Sequence, residues 1–141
     1  MSTSGSRLLI IDDERDIARF VGQVAEGLGY EVSVTTEAEA FKAEVEAFRP
    51  DVVIMDIVMP EVDGIELVKF LAEVGCDARV LVISGYAERY LNNTKALGEA
   101  FGLRSVTAMA KPIELPMLEA FLGAAGEEGA SARSRARPRV G

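Results

Sequence analysis

The sequence contains no histidine and only one cysteine, Cys76. Without histidine the chain lacks the commonest general base and metal ligand, so any imidazole chemistry must be supplied by a partner. A single cysteine excludes a disulfide within the chain and fits a reducing compartment, where we expect it to be an ordinary loop or core residue. The chemistry of this chain must therefore be built from other side chains.

Long hydrophobic runs are also missing. No apolar stretch approaches the roughly 18 residues that cross a bilayer, and the N-terminus has no signal-peptide core beyond the four apolar residues at 8–11. The net charge is −8, and four of the basic residues lie near the C-terminus, so the rest of the chain is strongly acidic. We therefore expect a cytoplasmic protein whose folded part does not bind nucleic acid directly.

The apolar residues that are present follow a regular pattern. The 141 residues suffice for one domain, and 49% hydrophobic with 27% charged residues is typical of a folded globular chain. Apolar runs rich in β-branched residues alternate five times with segments of helical period, which is typical of a parallel sheet covered on both faces. The predicted class is therefore α/β, with strands at about 7–11, 31–35, 52–55, 80–83 and 105–109.

Helices are expected between the strands, at about 14–28, 36–48, 64–74 and 88–101, with a fifth after the last strand. In the first helix Phe20 belongs to the apolar face. The second helix is predicted to open at Thr36, whose hydroxyl would form a capping box with Glu39. We interpret the apolar faces of these helices as parts of the hydrophobic core.

The composition divides the chain into three parts. Residues 1–6 are a short N-terminal tail, residues 7–123 the folded domain, and residues 124–141 a tail rich in Gly, Ala, Ser and Arg that we expect to be disordered. The tail carries an arginine at every second position: Arg133, Arg135, Arg137 and Arg139. Four charges would bind an acidic partner or nucleic acid only weakly, so that role is the minor alternative.

Acidic residues follow two of the buried strands. Asp12 and Asp13 come after the first strand and Asp56 after the third. Side chains beyond the carboxyl ends of parallel strands converge in one crevice, where like charges ~5 Å apart repel by about 3 kcal/mol at an effective dielectric of ~20. Carboxylates without His or Cys suit Mg²⁺. Taken singly, each acidic cluster is also compatible with a helix cap.

Two further polar residues follow the remaining strands of that edge. Ser84 ends the fourth strand, and Lys111 follows the fifth. A carboxylate such as Asp56 can attack phosphorus and form an acyl phosphate. A bound cation, a lysine and a hydroxyl would neutralise the charge on the phosphoryl oxygens. The set therefore indicates phosphoryl transfer, although a surface lysine, a strand-to-loop serine and a capping aspartate would each be unremarkable alone.

Over roughly residues 6–123 the chain resembles the receiver domain of bacterial two-component response regulators. The resemblance lies in the motifs Asp12-Asp13, Asp56, Met59-Pro60 with Asp63-Gly64, Ser84 and Lys111-Pro112. It implies a flavodoxin-like (βα)5 fold with sheet order 2-1-3-4-5 and a cis Lys111–Pro112 bond. It also implies that Asp56 is the phosphorylated residue, that Ser84 is the switch hydroxyl, and that Lys111 pairs with the phosphoryl group.

The same resemblance implies a cofactor and partners. Asp13, Asp56 and the backbone carbonyl of Val58 would hold Mg²⁺, with Asp12 acting mainly through water. The phosphoryl donor would be a sensor histidine kinase or a histidine phosphotransfer protein. An unknown downstream protein would read the phosphorylated form, membrane insertion is not expected, and a homodimer is compatible with the family.

Three positions depart from the family pattern. Ala108 stands where many receivers carry an aromatic residue that rotates inward on activation, and Tyr86 is a candidate substitute from the other side of the switch loop. Val58 and Tyr86 occupy the two positions that often flank the attacking water, and neither is acidic. We therefore expect slow self-dephosphorylation.

Three other functions compete with a receiver. A phosphatase with Asp56 as nucleophile would, in the haloacid-dehalogenase pattern, carry a second acid at the position of Val58. A nucleotide or flavin binder of similar topology would want Gly, Ser or Thr after the first strand, where the acidic Asp12 and Asp13 repel phosphate. A phosphorylation-independent scaffold would not need the intact acids, Ser84 and Lys111. Turnover of a phosphomonoester would favour the phosphatase.

Overall fold

The chain folds as alternating strands and helices. The structure, a computed structural model, describes residues 6–56, 58–59, 62–84, 96, 98–99, 102–103 and 105–123. In chain order the elements are β1 Arg7–Ile11, α1 Arg15–Gly27, β2 Glu31–Thr35, α2 Ala38–Phe48, β3 Val52–Asp56, β4 Val58–Met59, β5 Val62–Asp63, α3 Gly64–Glu73, β6 Arg79–Ser84 and β7 Ser105–Ala110. Residues 115–123 form a further helical segment, here called the last helix.

Five strands form one parallel sheet in the order β2-β1-β3-β6-β7. This is the predicted flavodoxin-like order 2-1-3-4-5, and each of the five predicted strands is confirmed to within one residue at either end. The helix predicted at 88–101 falls largely outside the described residues; residues 96, 98 and 99, which are described, are helical.

Successive side chains of a strand point to opposite sides, and the central strands of the sheet are buried on both faces. Every residue of β3 is buried, as a central parallel strand requires. One hydrophobic cluster holds Leu9, Val53 and Val82 with residues of α2 and α3. The other holds Leu8, Ile54 and residues of α1 and the last helix. The helices therefore cover both faces, and the strand ends are left as the place for polar groups.

The prediction that Phe20 lies on the buried face of α1 is wrong. Phe20 is 39% exposed, and the residues of α1 that are buried are Ala18, Val21, Gly22 and Ala25. Small residues line this stripe because α1 lies close to the sheet: a Cβ at Gly22 would sit 3.5 Å from a methyl carbon of Val32. At ~100° per residue, Phe20 lies about 200° around the helix from Ala18 and so points away from the buried stripe.

The predicted capping box at the start of α2 is also wrong. The helix begins at Ala38, and its N-cap is Glu37, which has extended backbone and no side-chain cap hydrogen bond. The first helical hydrogen bond runs from the Phe41 amide to the Glu37 carbonyl. Thr36 therefore lies one residue before the N-cap, where its hydroxyl cannot serve the first turn.

The segment after β3, predicted as a loop, contains a short antiparallel ribbon. Val58 pairs with Asp63 and Met59 with Val62 in β4 and β5. Strands of two residues have no visible periodicity, so sequence patterning cannot find them. Among the described residues, no helix combines the length and apolar character that a membrane crossing would need.

Candidate functional site

The carboxyl ends of the sheet strands bring the predicted acids together. Ile11 of β1 pairs with Met55 of β3, so Asp12 and Asp56 are the next residues along these two neighbouring strands. Asp56 in turn pairs with Ile83 of β6. The acids therefore lie together at the carboxyl edge of the sheet, as the apolar runs predicted.

Three carboxylates form one cluster at this edge. Asp12, Asp13 and Asp56 each place one carboxylate oxygen within 4.8 Å of the other two. Asp12 is 1% exposed and Asp56 3% exposed, whereas Asp13 is exposed to solvent. Two buried acids and one exposed acid thus face a common point from two strands.

Lys111 supplies positive charge to this cluster. Its Nζ donates a hydrogen bond to Asp56 Oδ2 at 3.0 Å and lies 3.9 Å from Asp12 Oδ2. Partial burial acts to lower the pKa of Lys111, but the hydrogen bonds to Glu14 and Asp56 outweigh it and raise the pKa overall. The ammonium therefore stays charged, and it balances only part of the negative charge around it.

The pKa of Asp12 reflects its burial beside other negative charges. Burial is the main cause that raises its pKa from 3.8 to about 6, with a further contribution from the charge of Asp56. Its Oδ1 accepts a hydrogen bond from the Glu14 amide at 2.8 Å, which acts to lower the pKa. Its Oδ2 is buried and has no hydrogen-bond partner. A buried oxygen of this kind normally has a partner, so its orphan state points to a ligand.

The residues fit a hard divalent cation. The cluster offers carboxylate oxygens from three side chains, two of them buried, and an unpartnered oxygen of Asp12 faces the lysine side of the cluster. Such all-oxygen sites suit Mg²⁺, which takes one or two carboxylates and keeps several waters. The chemistry of the donor set therefore agrees with the cofactor predicted from the sequence.

The strands fix the backbone positions of the other predicted site residues. Ser84 is the last residue of β6 and pairs with Ala110, directly before Lys111. Val58 opens β4 two residues after Asp56. Ala108 lies in β7 and packs partly buried against the first hydrophobic cluster. The Lys111–Pro112 bond is cis, as predicted. Tyr86 lies outside the described residues.

Glu14 belongs to the acidic run Asp12-Asp13-Glu14 after the first strand, but its contact with Lys111 was not predicted. Glu14 is the N-cap residue of α1, and its Oε1 accepts a hydrogen bond from Lys111 Nζ at 2.7 Å. The two residues are 97 positions apart, so no spacing rule joins them. The available signal was its position directly after the acidic pair, which places it at the same strand end.

Comparison with known proteins decides the family. A family model described as the response regulator receiver domain matches residues 8–122. The chain belongs to this receiver family. Receiver domains act as phosphoacceptor switches in two-component signalling, bind Mg²⁺ through acidic residues, and interact with histidine kinases or phosphotransfer proteins and with downstream effectors.

Individual relatives agree with the family model. The chain is 31% identical over 107 residues to the response regulator receiver protein CpdR of Brucella abortus, covering 71% of this chain and 89% of that protein. It is 33% identical over 87 residues to the chemotaxis protein CheY of Thermotoga maritima, covering 60% of this chain and 72% of that protein. The first of these relatives is a response regulator by name, and the second is a chemotaxis protein.

The fold has solved counterparts. A response regulator from Colwellia psychrerythraea superposes with a TM-score of 0.76 at 28% identity, covering 89% of this chain and 99% of that chain. The predicted family and sheet order are therefore confirmed, and the receiver fold extends over nearly all of the described residues.

Proposed function

We propose that this receiver accepts a phosphoryl group on Asp56 from the phosphohistidine of a sensor histidine kinase or phosphotransfer protein in the cytoplasm. An Asp56 carboxylate oxygen would attack phosphorus, the phosphorus–nitrogen bond of the donor would break, and the imidazole nitrogen would take a proton as it leaves. The observation that carries the proposal is that Asp56 is buried beside two further acids and within 3.0 Å of Lys111 Nζ.

Each neighbour of Asp56 has a role in this reaction. Lys111 would neutralise charge on the transferred phosphoryl group, and Ser84 would donate a hydrogen bond to it. Asp12, acting mainly through water, with Asp13, Asp56 and the carbonyl of Val58 would hold Mg²⁺, which supplies charge neutralisation at the phosphoryl oxygens when bound. The cluster of Asp12, Asp13 and Asp56 supports this assignment of the first three ligands.

The proposed output is a change in binding. Phosphorylation adds about −1.5 to −2 charge at neutral pH, so Ser84 and Lys111 would be drawn toward the new group. That movement would bias an equilibrium between two surface conformations, one of which a downstream protein binds. In this proposal the chain is a switch and not an enzyme with turnover.

The direct test is incubation with Mg²⁺ and a small acyl phosphate donor, followed by mass spectrometry of the intact protein. We expect the wild type to gain the mass of one phosphoryl group and Asp56→Asn to gain none. Asp16→Asn removes an exposed carboxylate from the first turn of α1 and is the matched control, which should be modified as the wild type is. Modification of Asp56→Asn at the wild-type rate would refute the assignment, and steady release of phosphate from a phosphomonoester would favour a phosphatase.

The phosphorylated form is proposed to decay slowly. An apolar Val58 two residues after Asp56 cannot orient a water molecule by hydrogen bonding. We expect Val58→Asn, which adds a polar amide at that position, to shorten the lifetime of the phosphorylated protein, followed by mass after removal of the donor. Equal lifetimes for the two proteins would contradict this explanation.

A further inference from the structure

Lys111 has more than one anionic partner in the resting protein. Its Nζ lies 2.7 Å from Glu14 Oε1, 3.0 Å from Asp56 Oδ2 and 3.9 Å from Asp12 Oδ2. An ammonium group has three N–H donors, and the two shorter contacts occupy two of them. The shortest contact is made to Glu14, which lies outside the cluster of Asp12, Asp13 and Asp56.

The position of Glu14 is fixed by its backbone. Its amide donates to Asp12 Oδ1 at 2.8 Å, which ties the N-cap of α1 to the acidic pair. Its side chain makes no capping hydrogen bond to its own helix and is 57% exposed, so the carboxylate is engaged by Lys111 from the solvent side. Lys111 therefore joins a solvent-exposed carboxylate to the buried carboxylate of Asp56.

We propose that Glu14 is a positioning residue that holds Lys111 in the resting state and competes with the phosphoryl group for it. This inference rests on the proposed phosphorylation of Asp56. The phosphoryl group brings about −1.5 to −2 charge to the end of Asp56, against −1 on Glu14, so Lys111 transfers to it. The same charge repels the Glu14 carboxylate, and the link between α1 and the end of β7 opens as Asp56 is modified.

The direction of the effect follows from this competition. A resting-state contact that must be given up lowers both the rate and the extent of phosphorylation. Glu14→Gln keeps the length and shape of the side chain but loses its charge, so Lys111 is released more easily. We expect phosphorylation about two- to five-fold faster, which is the range that one solvent-exposed ion pair supports.

The experiment compares variants at a Mg²⁺ concentration that saturates each of them. Initial rates of modification by a small acyl phosphate are measured by mass for wild type, Glu14→Gln and Asp16→Asn across a range of donor concentrations. Asp16→Asn makes the same change of net charge two residues along α1 and controls for general repulsion of the donor. Thermal unfolding of each variant confirms that the fold is retained.

A second pair of variants tests whether Glu14 acts through Lys111. In a Lys111→Met background, where the ammonium is absent, Glu14→Gln should change the rate no more than Asp16→Asn does. A merely structural role for Glu14 would give the same change in both backgrounds.

The outcomes distinguish failure of the proposed role of Glu14 from failure of the proposed phosphorylation of Asp56. Faster modification of Glu14→Gln than of Asp16→Asn, lost in the Lys111→Met background, supports it. Equal rates for the two variants, or slower modification of Glu14→Gln, overturns it while the phosphorylation of Asp56 stands. A wild type that gains no phosphoryl group overturns the proposed function and this inference together.

Discussion

At the scale of single residues, the site is a set of acids that are costly to bury together. Asp12 and Asp56 could be predicted because each follows an apolar run that must be a central strand. The contact between Glu14 and Lys111 could not, because it depends on where two long side chains end and joins residues distant in sequence. The backbone pattern therefore predicts where the acids lie, and the reach of long side chains decides which contacts they make.

Asp12 is expected to destabilise the metal-free protein. Its pKa is raised from 3.8 to about 6 in the folded state, so the folded chain binds a proton more tightly than the unfolded chain. Stability is therefore fully present below about pH 4 and is lost as the pH rises through about 6. Asp12→Asn escapes this loss, and its free energy of unfolding at pH 7.5 should exceed that of the wild type by up to roughly 3 kcal/mol.

Urea denaturation with a chelator present, at pH 4 and at pH 7.5, measures this difference. The gain should shrink toward zero at the lower pH, where Asp12 is protonated in the folded wild type. Asp16→Asn, at an exposed position, is the control and should show no such gain. An Asp12→Asn variant that is equally or less stable at pH 7.5 would show that Lys111 already compensates the buried charge.

At the scale of elements, long apolar patterns predicted the structure well and short local signals did not. The five strands could be placed because their runs are apolar and bounded by polar residues. The start of α2 was misplaced because a capping-box pattern depends on one backbone conformation, which Glu37 and not Thr36 adopts. Phe20 was misplaced because the buried face of α1 is formed largely by Ala18, Gly22 and Ala25, small residues that give little apolar signal.

Gly98, a buried residue in a helix, packs closely against the sheet. A Cβ there would lie 2.8 Å from Val106 Cγ2 and 3.4 Å from a methyl carbon of Leu103. Val106 is 3% exposed and has little room to move. Gly98→Ala should therefore lower the free energy of unfolding by about 1–3 kcal/mol, the cost of overpacking.

The matched variant is Gly27→Ala, measured by the same urea denaturation. Gly27 ends α1, and a Cβ there would meet nothing within 4 Å. The substitution should raise the free energy of unfolding by up to about 1 kcal/mol, because alanine favours a helix over glycine. If both substitutions changed stability in the same direction, contact with Val106 would not be the cause.

At the scale of the whole molecule, the last helix closes the domain. Leu118 and Leu122 are fully buried in the second hydrophobic cluster. The Tyr30 hydroxyl donates a hydrogen bond to the Leu122 carbonyl and so ties this helix to the start of β2. Burial raises the pKa of Tyr30, which keeps the hydroxyl protonated and able to donate. The boundary at residue 123 stays a prediction, because residues 124–141 lie outside the described part.

Truncation tests this boundary. A chain that ends at residue 123 should keep the wild-type free energy of unfolding, because the contacts that seat the last helix are retained. A chain that ends at residue 117 loses the burial of Leu118 and Leu122 and should be less stable by about 3–6 kcal/mol. Thermal and urea unfolding of both chains measures the difference in stability. The variant Tyr30→Phe, which removes only the hydrogen bond to Leu122, should lose about 1 kcal/mol. Substantial destabilisation of the chain that ends at residue 123 would place the boundary beyond that residue.

The complete burial of β3 has a consequence for how a donor reaches the site. Asp56 ends a strand that is packed on both sides, so its carboxylate cannot swing out to meet an incoming molecule. In the proposed reaction the phosphorus would therefore have to come to the carboxylate, which is held at the end of β3. A donor in the proposed reaction would therefore need a phosphoryl group exposed enough to reach the end of β3.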